Sequence, residues 1–150
     1  MSGELFVPDD FAVPDGLMAG EFRLAPLGPQ HNEADYAAWT TSIDHIRATP
    51  GFPDGNWPHE MSLNDNLRDL ERHARHFAER RGFTYTVIGT ATGDVIGCVY
   101  IYPSRKDGYD TEVSSWVSAG HADLDVPLYE AVTTWLATGW PLGRIDYQAR

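Results

Sequence analysis

Residues 112 to 136 read EVSSWVSAGHADLDVPLYEAVTTWL, and this stretch decides the fold. It begins with the pattern of a β-strand and ends with apolar residues at helical spacing, so strand, turn and helix follow directly. A turn at a helix N-terminus is suited to a phosphate, because backbone N–H groups and the helix dipole converge there. Here Asp123 and Asp125 occupy the turn, and their charge opposes an anionic ligand.

Upstream of this stretch, the first elements are a strand and a helix. Glu21 to Leu27 alternates apolar and polar residues and ends at a Gly-Pro pair, which predicts the first strand. Asn32 with Asp35 resembles a capping box, and the apolar spacing behind it predicts a helix to about Ala48. The connection that follows, PGFPDGNWPHEM, is too rich in proline and glycine for regular structure.

The middle of the chain predicts a second helix and a hairpin. Ser62 and Asp65 form an N-cap signature, and Gly82 is placed to end the helix in the left-handed conformation. FTYTVIG and VIGCVYIY then alternate around a TATGD turn, which predicts two antiparallel strands. A last short strand is predicted from Arg144 to Tyr147, after the third helix. The order is β-α-α-β-β-β-α-β, with one right-handed βαβ crossover.

Composition indicates one domain and excludes several partner classes. The chain has 150 residues with 42% hydrophobic content, so we expect a single domain over residues 21–150 and an extended arm over residues 1–20. A net charge of -11 repels nucleic acid and anionic membranes. Cys98 has no partner for a disulfide, and we find neither a leader nor a membrane span, so we expect a cytoplasmic protein.

The predicted order, together with TEVSSWV before the crossover helix, resembles the GNAT (N-acetyltransferase) superfamily, closest to its ribosomal-protein N-terminal acetyltransferase branch. The resemblance covers roughly Glu21 to Tyr147. It implies an α+β fold: a mixed, mostly antiparallel sheet with helices on both faces. It also implies an acetyl-CoA cofactor bound at Trp116, Val117 and Ser118, followed by a loop whose N–H groups hold the pyrophosphate.

The pyrophosphate loop departs from the family pattern and is degenerate. Ala122, Asp123, Leu124 and Asp125 stand where the resemblance implies basic-Gly-basic-Gly. One carboxylate near a phosphate costs about 0.7 to 3 kcal/mol. The helix N-terminus returns only about 0.3 to 1 kcal/mol. Acetyl-CoA is therefore a doubtful cofactor, and we expect Asp125 to accept the first N–H groups of its own helix instead.

The resemblance also implies a region that this sequence does not show. The family continues past its last matched strand with a helix and a hairpin, whereas this sequence stops at Arg150, a truncated C-terminal region. We expect the acceptor site to be open, or to be completed by the N-terminal arm or a second chain. An exposed sheet edge near the C-terminus is compatible with a homodimer.

Two sets of residues are candidates for acyl transfer. Glu112 matches the general base of the family, which would take a proton from an amine of a small molecule or peptide; the alternative is a solvent-facing residue paired with Arg105 or Lys106. The loop between the first two helices supplies candidate acceptor contacts, and the alternative is a lid that packs on the core. Those contacts are Phe52, Trp57 and Glu60, with His59 beside them.

Other chemistries find little support in the sequence. His73 and His76 share a helix face near Glu79, but no metal motif accompanies them, so we expect no metal site. Tyr100 and Tyr102 are explained by cross-strand packing. Two functions stay open: an acetyl-CoA-dependent N-acetyltransferase, and a non-catalytic protein that binds a small molecule or a protein. The degenerate loop favours the second.

Overall fold

The computed structural model describes residues 5–52 and 57–150. Its centre is a six-stranded sheet in which the strands follow one another in sequence order. All neighbouring strands are antiparallel except the last pair, which is parallel. The strands are β1 Leu17–Met18, β2 Phe22–Pro26, β3 Phe83–Gly89, β4 Val95–Pro103, β5 Thr111–Val117 and β6 Ile145–Tyr147. The predicted hairpin and βαβ crossover are confirmed.

Helices cover both faces of the sheet, so the predicted α+β fold is confirmed. One face carries α1 Asn32–Thr40, α2 Ile43–Arg47 and α3 Leu63–Ala78, and the other carries α4 Asp125–Gly139. Short 3-10 turns at Pro29–His31 and Ala119–Leu124 precede α1 and α4.

The sheet separates two hydrophobic cores, because side chains alternate across a strand. On β5, Val113 and Val117 join the core beneath α4, whereas Trp116 joins the core beneath α1 to α3. Successive side chains of β5 therefore lie on opposite faces of the sheet.

The first predicted helix is two helices, and its predicted capping box is wrong. Residue Asn32 lies inside α1, whose N-cap is His31, and the Asn32 amide instead donates to the Leu63 carbonyl oxygen. Asp35 is only 5% exposed and faces the interior. The box failed because the spacing of two polar residues does not reveal which of them the neighbouring helix buries.

The prediction for α3 is confirmed at its start and wrong at its end. Ser62 Oγ accepts a hydrogen bond from the Asp65 backbone N–H at 3.0 Å, as predicted. The left-handed residue is Arg80, with φ 61°, and not Gly82. The Arg81 N–H donates to the His76 carbonyl and the Arg80 N–H to the Phe77 carbonyl, which is a Schellman ending. Gly82 is required for a different reason, since a Cβ there would collide with the Tyr102 ring.

The segment before Glu21 is attached to the sheet. Val7 is 1% exposed and belongs to the core beneath α4. The Arg80 guanidinium donates to the carbonyl oxygens of Pro8 and Phe11, at 2.6 and 2.9 Å, and the Tyr85 hydroxyl donates to that of Pro14. These contacts tie the segment to α3 and β3.

Candidate functional site

The parallel pair β5 and β6 is short and leaves a gap. The strands pair at three positions, of which the last is Val113 with Tyr147. Beyond it β5 continues to Val117 with no strand on that side among the described residues. The resemblance assigns the cofactor to this open edge of β5 and to the turn that follows it.

Arg150 fills this gap. Its side chain is 3% exposed, and its Nε donates to Asp125 Oδ2 at 2.7 Å. A second guanidinium nitrogen donates to the Ser115 carbonyl oxygen at 2.8 Å, which occupies an acceptor on the open edge of β5. The guanidinium also lies 5.9 Å from the ring centroids of Tyr129 and Tyr147. A cation therefore occupies the place where an anionic cofactor was expected.

Two tyrosines complete the filling. The rings of Tyr129 and Tyr147 are 4.7 Å apart, and the Tyr147 hydroxyl is 2.6 Å from Ser115 Oγ. Burial raises the pKa of Tyr147 to about 12, so its hydroxyl stays protonated at neutral pH. Arg150 also contacts the Pro50 carbonyl oxygen, which joins this cluster to the connection between α2 and α3.

Backbone N–H groups of the turn between β5 and α4 already have partners inside the protein. The Ala119 N–H donates to Ser42 Oγ at 2.9 Å and the His121 N–H to the Ser118 carbonyl at 2.9 Å. The Asp125 N–H donates to the Ala122 carbonyl. These donors would have to break existing hydrogen bonds to bind a phosphate.

The predicted capping role of Asp125 is wrong. The N-cap of α4 is Leu124, and no side chain caps the helix. One oxygen of the Asp125 carboxylate accepts from Arg150, and the other is buried without a partner among the described residues. The sequence could not show this, because the two residues are 25 positions apart and the local pattern at the helix start indicated a cap instead.

The predicted cofactor residues lie beside the gap. The side chains of Trp116 and Val117 are buried in opposite cores, and the Trp116 indole donates to the Tyr100 hydroxyl at 3.0 Å. The Ser118 N–H donates to the Ile96 carbonyl. The cofactor role of these three residues stays a prediction.

Glu112 lies on the face of β5 that carries Trp116, and its side chain is exposed. It borders a wide groove of about 1190 Å³ that also includes Tyr102 and Arg105. Lys106, one of its predicted partners, approaches Asp146 instead, at 3.9 Å. In the part of the chain that the structure describes, no ion pair within 4.0 Å involves Glu112, so its carboxylate faces solvent.

A second, smaller cavity of about 280 Å³ lies between α1, α3 and the sheet. One wall is aromatic and consists of Phe52, Trp57 and Tyr100, whose ring centroids are 6.0 to 6.5 Å apart. Trp57 also packs against Trp39 and Trp116, at 5.4 and 6.0 Å between centroids. We call Phe52, Trp57 and Tyr100 the aromatic wall.

The cavity also has a polar, deeply buried part. Asp35 and Asn66 line it, and the Asn66 amide donates to Asp35 Oδ2 at 3.2 Å. Asn66 Oδ1 in turn accepts from the Trp39 indole at 3.0 Å. Asp69 and Arg72 form an ion pair of 2.9 Å at the more exposed edge. A buried carboxylate and an aromatic wall thus line the same cavity.

Burial shifts the pKa values of two groups in this cavity in opposite senses. Desolvation raises the pKa of Asp35 to about 6, against the opposing hydrogen bond from Asn66. Desolvation lowers the pKa of His73 to about 4, and the charge of Arg72 acts in the same direction. His73 Nδ1 lies 2.9 Å from the Tyr102 hydroxyl and 3.1 Å from Thr84 Oγ1. At neutral pH the site therefore contains an ionised Asp35 and a neutral His73.

The structure brings together two of the three predicted acceptor residues. Phe52 and Trp57 line the cavity, whereas Glu60 is exposed and lies in a separate groove of about 630 Å³ with His59 and Ser42. Sequence reasoning missed two buried polar residues that line the cavity, Asp35 and Asn66. A polar residue within the apolar stripe of an amphipathic helix was the available signal.

Metal sites and membrane spans are both missing from residues 5–52 and 57–150. Within them, no group of three or more histidine, cysteine, aspartate or glutamate side chains is arranged to hold a metal ion. No helix in the same residues is long and apolar enough to cross a bilayer.

Comparison with known proteins finds similar folds among solved structures, but no similar sequence. No protein-family model and no curated protein sequence matches the chain. Solved structures do match, and the three described below are at most 16% identical to this chain. A ribosomal-protein-S5-alanine acetyltransferase from Vibrio fischeri is 12% identical with a TM-score of 0.58, over 88% of this chain and 72% of that one. An acetyltransferase from Thermus thermophilus is 16% identical with a TM-score of 0.59, over 87% and 77%.

A third similar structure contains coenzyme A. It is RimL, a ribosomal L7/L12 alpha-N-protein acetyltransferase, which is 9% identical with a TM-score of 0.61, over 81% of this chain and 67% of that one. The chain therefore spans about two thirds to three quarters of the length of these structures. It has the GNAT fold, as predicted. Ribosomal-protein acetyltransferases recur among the similar structures.

Proposed function

We propose that this chain is a GNAT-fold protein that binds a small molecule in the cavity beside the aromatic wall and does not carry out ordinary acetyl-CoA chemistry. The observation that carries the proposal is the filled gap at β5. The Arg150 guanidinium is buried there between Asp125 and the Ser115 carbonyl. These groups occupy the open edge of β5, to which the resemblance assigns the cofactor.

The energetic cost of opening the gap supports this proposal. Breaking a buried ion pair by removing one partner costs about 3 to 5 kcal/mol, because the other charge is left without a partner. If Arg150 left the gap, the Asp125 carboxylate would remain beside the incoming phosphates. The turn would also have to give up hydrogen bonds such as that from Ala119 to Ser42. Helix-dipole attraction, about 0.3 to 1 kcal/mol, does not offset these terms.

A second candidate function is an N-acetyltransferase acting on a primary amine of a small molecule or peptide. The exposed Glu112 carboxylate beside the wide groove favours it, since a base there could take a proton from an amine. Similar structures include enzymes that modify ribosomal proteins, one of them with coenzyme A bound. In this case Arg150 would have to move before the cofactor binds.

The two candidates differ in whether the protein binds coenzyme A. Thermal unfolding would be followed with and without millimolar acetyl-CoA or CoA. A ligand at about one hundred times its Kd stabilises the native state by about 2.7 kcal/mol, which shifts Tm by several degrees. We expect no shift for the wild type and a shift for the Asp125→Gly/Arg150→Met double variant, which removes both charges and opens the gap.

Glu130→Gln is the matched control, because it neutralises an exposed carboxylate on α4 outside the gap. It should behave like the wild type. A wild-type shift with acetyl-CoA would contradict the non-catalytic proposal, and an acceptor screen with Glu112→Gln as the inactive variant would follow.

Three further parts of the proposal rest on the sequence. The net charge of -11 favours neutral or cationic partners over nucleic acid or an anionic membrane. A cytoplasmic location and a homodimer are proposed on the sequence arguments given above. Sedimentation velocity would test the dimer.

A further inference from the structure

We infer that the cavity beside the aromatic wall binds an organic cation whose nitrogen is fully alkylated, held between the aromatic wall and Asp35. The inference rests on the proposed small-molecule role and names the ligand class of that site. It depends on three properties of the cavity: the aromatic surface, the local charge and the shortage of hydrogen-bond acceptors.

The aromatic wall supplies the first property. Phe52, Trp57 and Tyr100 form one continuous surface, in which the rings are inclined to one another by 53 to 73°. Aromatic rings attract cations through their quadrupoles, and tryptophan does so most strongly. Trp57 is fixed in place by contacts with Trp39 and Trp116, so the surface is preorganised.

The charge of the cavity is negative at neutral pH. Asp35 carries the charge that is not neutralised, since Asp69 is paired with Arg72 at the edge. The lowered pKa of His73 keeps its imidazole neutral. Burial raises the pKa of both Cys98 and Tyr100, the titratable groups on β4 that face Asp35, so neither carries a charge. A monovalent cation would compensate the buried carboxylate.

The cavity offers few acceptors for N–H groups. A primary ammonium carries three donors, and each must find an acceptor when it is buried. Asn66 Oδ1 already accepts from the Trp39 indole, and Asp35 Oδ2 accepts from the Asn66 amide. Leu27, Leu70 and the aromatic wall also line the cavity. Its further acceptors include the Ser114 hydroxyl and the Asp69 carboxylate, which is paired with Arg72. A nitrogen without N–H groups avoids this cost, and it also cannot be acetylated.

The size of the cavity limits the ligand. Its volume of about 280 Å³ is slightly below the range of about 300 to 1,000 Å³ for drug-sized ligands. A trimethylammonium group with a short substituent is therefore the appropriate size. The edge at Asp69 and Arg72 would admit the substituent toward solvent.

Choline, its neutral isostere 3,3-dimethylbutan-1-ol and the primary amine ethanolamine are suitable probes. Binding would be measured at pH 7.5 by isothermal titration and by the proton shifts of the probe methyl groups. We expect choline to bind at least about tenfold more tightly than either analogue. Its methyl protons should shift upfield, because they lie over aromatic ring faces. Equal binding of choline and the neutral isostere would overturn the inference.

Variants locate the site. Asp35→Asn and Trp57→Leu should each weaken choline binding at least about tenfold. Glu33→Gln, which neutralises an exposed carboxylate on the same helix, should leave it unchanged. Circular dichroism and thermal unfolding would verify that each variant is folded. Unchanged affinity in folded Asp35→Asn, or no choline binding to the folded wild type, would also overturn the inference.

The result of the choline experiment can be distinguished from that of the thermal unfolding with acetyl-CoA or CoA. A wild type that binds neither choline nor acetyl-CoA would contradict the ligand class and leave the non-catalytic proposal standing. A wild type that binds acetyl-CoA would contradict that proposal, whatever choline does.

Discussion

At the scale of single residues, Asp35 and His73 show how one cavity shifts two pKa values in opposite directions. Both are removed from water, and desolvation disfavours the charged form of each. For Asp35 this favours the protonated acid, and for His73 the neutral base. Arg150 and Asp125 illustrate the other solution for buried charge, in which two ions of opposite sign pair directly.

The raised pKa of Asp35 predicts a pH-dependent stability difference. Its folded-state pKa of about 6 lies above the ordinary 3.8, so the stability it contributes is present below pH 3.8 and lost as pH rises through 6. Asp35→Asn removes that loss. Relative to the wild type, we expect this variant to gain up to about 3 kcal/mol of unfolding free energy between pH 4 and pH 7.

Urea unfolding of both proteins across that range would measure the difference. The comparison must be made between variant and wild type, because His73 changes stability in the opposite sense: its lowered pKa means that stability is lost as pH falls from 6.5 through 4. Glu33→Gln should differ from the wild type by an amount that hardly varies with pH. A pH-independent difference for Asp35→Asn would contradict the prediction.

At the scale of elements, the gap that Arg150 fills exists because β5 extends beyond its pairing with β6. The strand is seven residues long but pairs with β6 at only three of them. Its other edge pairs with β4 as far as Gly97 opposite Val117. A Cβ on Gly97 would collide with the Trp116 carbonyl oxygen, so the backbones of β4 and β5 are close together there.

Gly97→Ala should therefore destabilise the protein. The added methyl group meets backbone atoms that cannot rotate away, and overpacking of this kind typically costs about 1 to 3 kcal/mol. Chemical denaturation would measure the change. Gly120→Ala is the matched control, since its methyl group would meet nothing within 4 Å, and its effect should stay within about 0.5 kcal/mol. Equal effects of the two substitutions would contradict the close approach of β4 and β5.

At the scale of the whole molecule, the sheet separates two cores with different roles. The core beneath α4 is apolar and includes the N-terminal segment through Val7. The core beneath α1 to α3 contains the aromatic wall and the buried pair Asp35 and Asn66. The candidate binding site thus lies on one face of the sheet, and the N-terminal segment packs on the other.

The N-terminal segment should contribute to the stability of the whole domain. Val7→Ala removes two buried methyl groups, and at about 0.8 kcal/mol for each, with a cavity term added, we expect a loss of about 1 to 3 kcal/mol. Leu5→Ala is the control, because Leu5 is 62% exposed and its loss should be nearly neutral. Urea unfolding midpoints would compare the two. A neutral Val7→Ala would show that the segment is not part of the cooperative unit.

Local patterns in the sequence predicted most of the fold. Period-two alternation identified β3, β4 and β5, and the Ser62 cap located the start of α3 within one residue. The pattern of residues 112 to 136 predicted the βαβ crossover and hence the GNAT fold. These features depend on residues that are close together in the sequence, so they can be predicted from the sequence alone. β1 was missed because two residues are too few to show a period.

Only the tertiary structure decided what the candidate sites contain. The contact of Arg150 with the Pro50 carbonyl joins residues 100 positions apart, and that of Asn66 with Asp35 spans 31. Asp35 therefore resembled a cap in sequence, and Asp125 resembled another. Chain periodicity by itself determined most of the segments that form strands and helices, but not β1 or the break between α1 and α2. The partner of a buried charge depends on which side chains, distant in sequence, surround it and exclude water. Only the tertiary structure brings those side chains together.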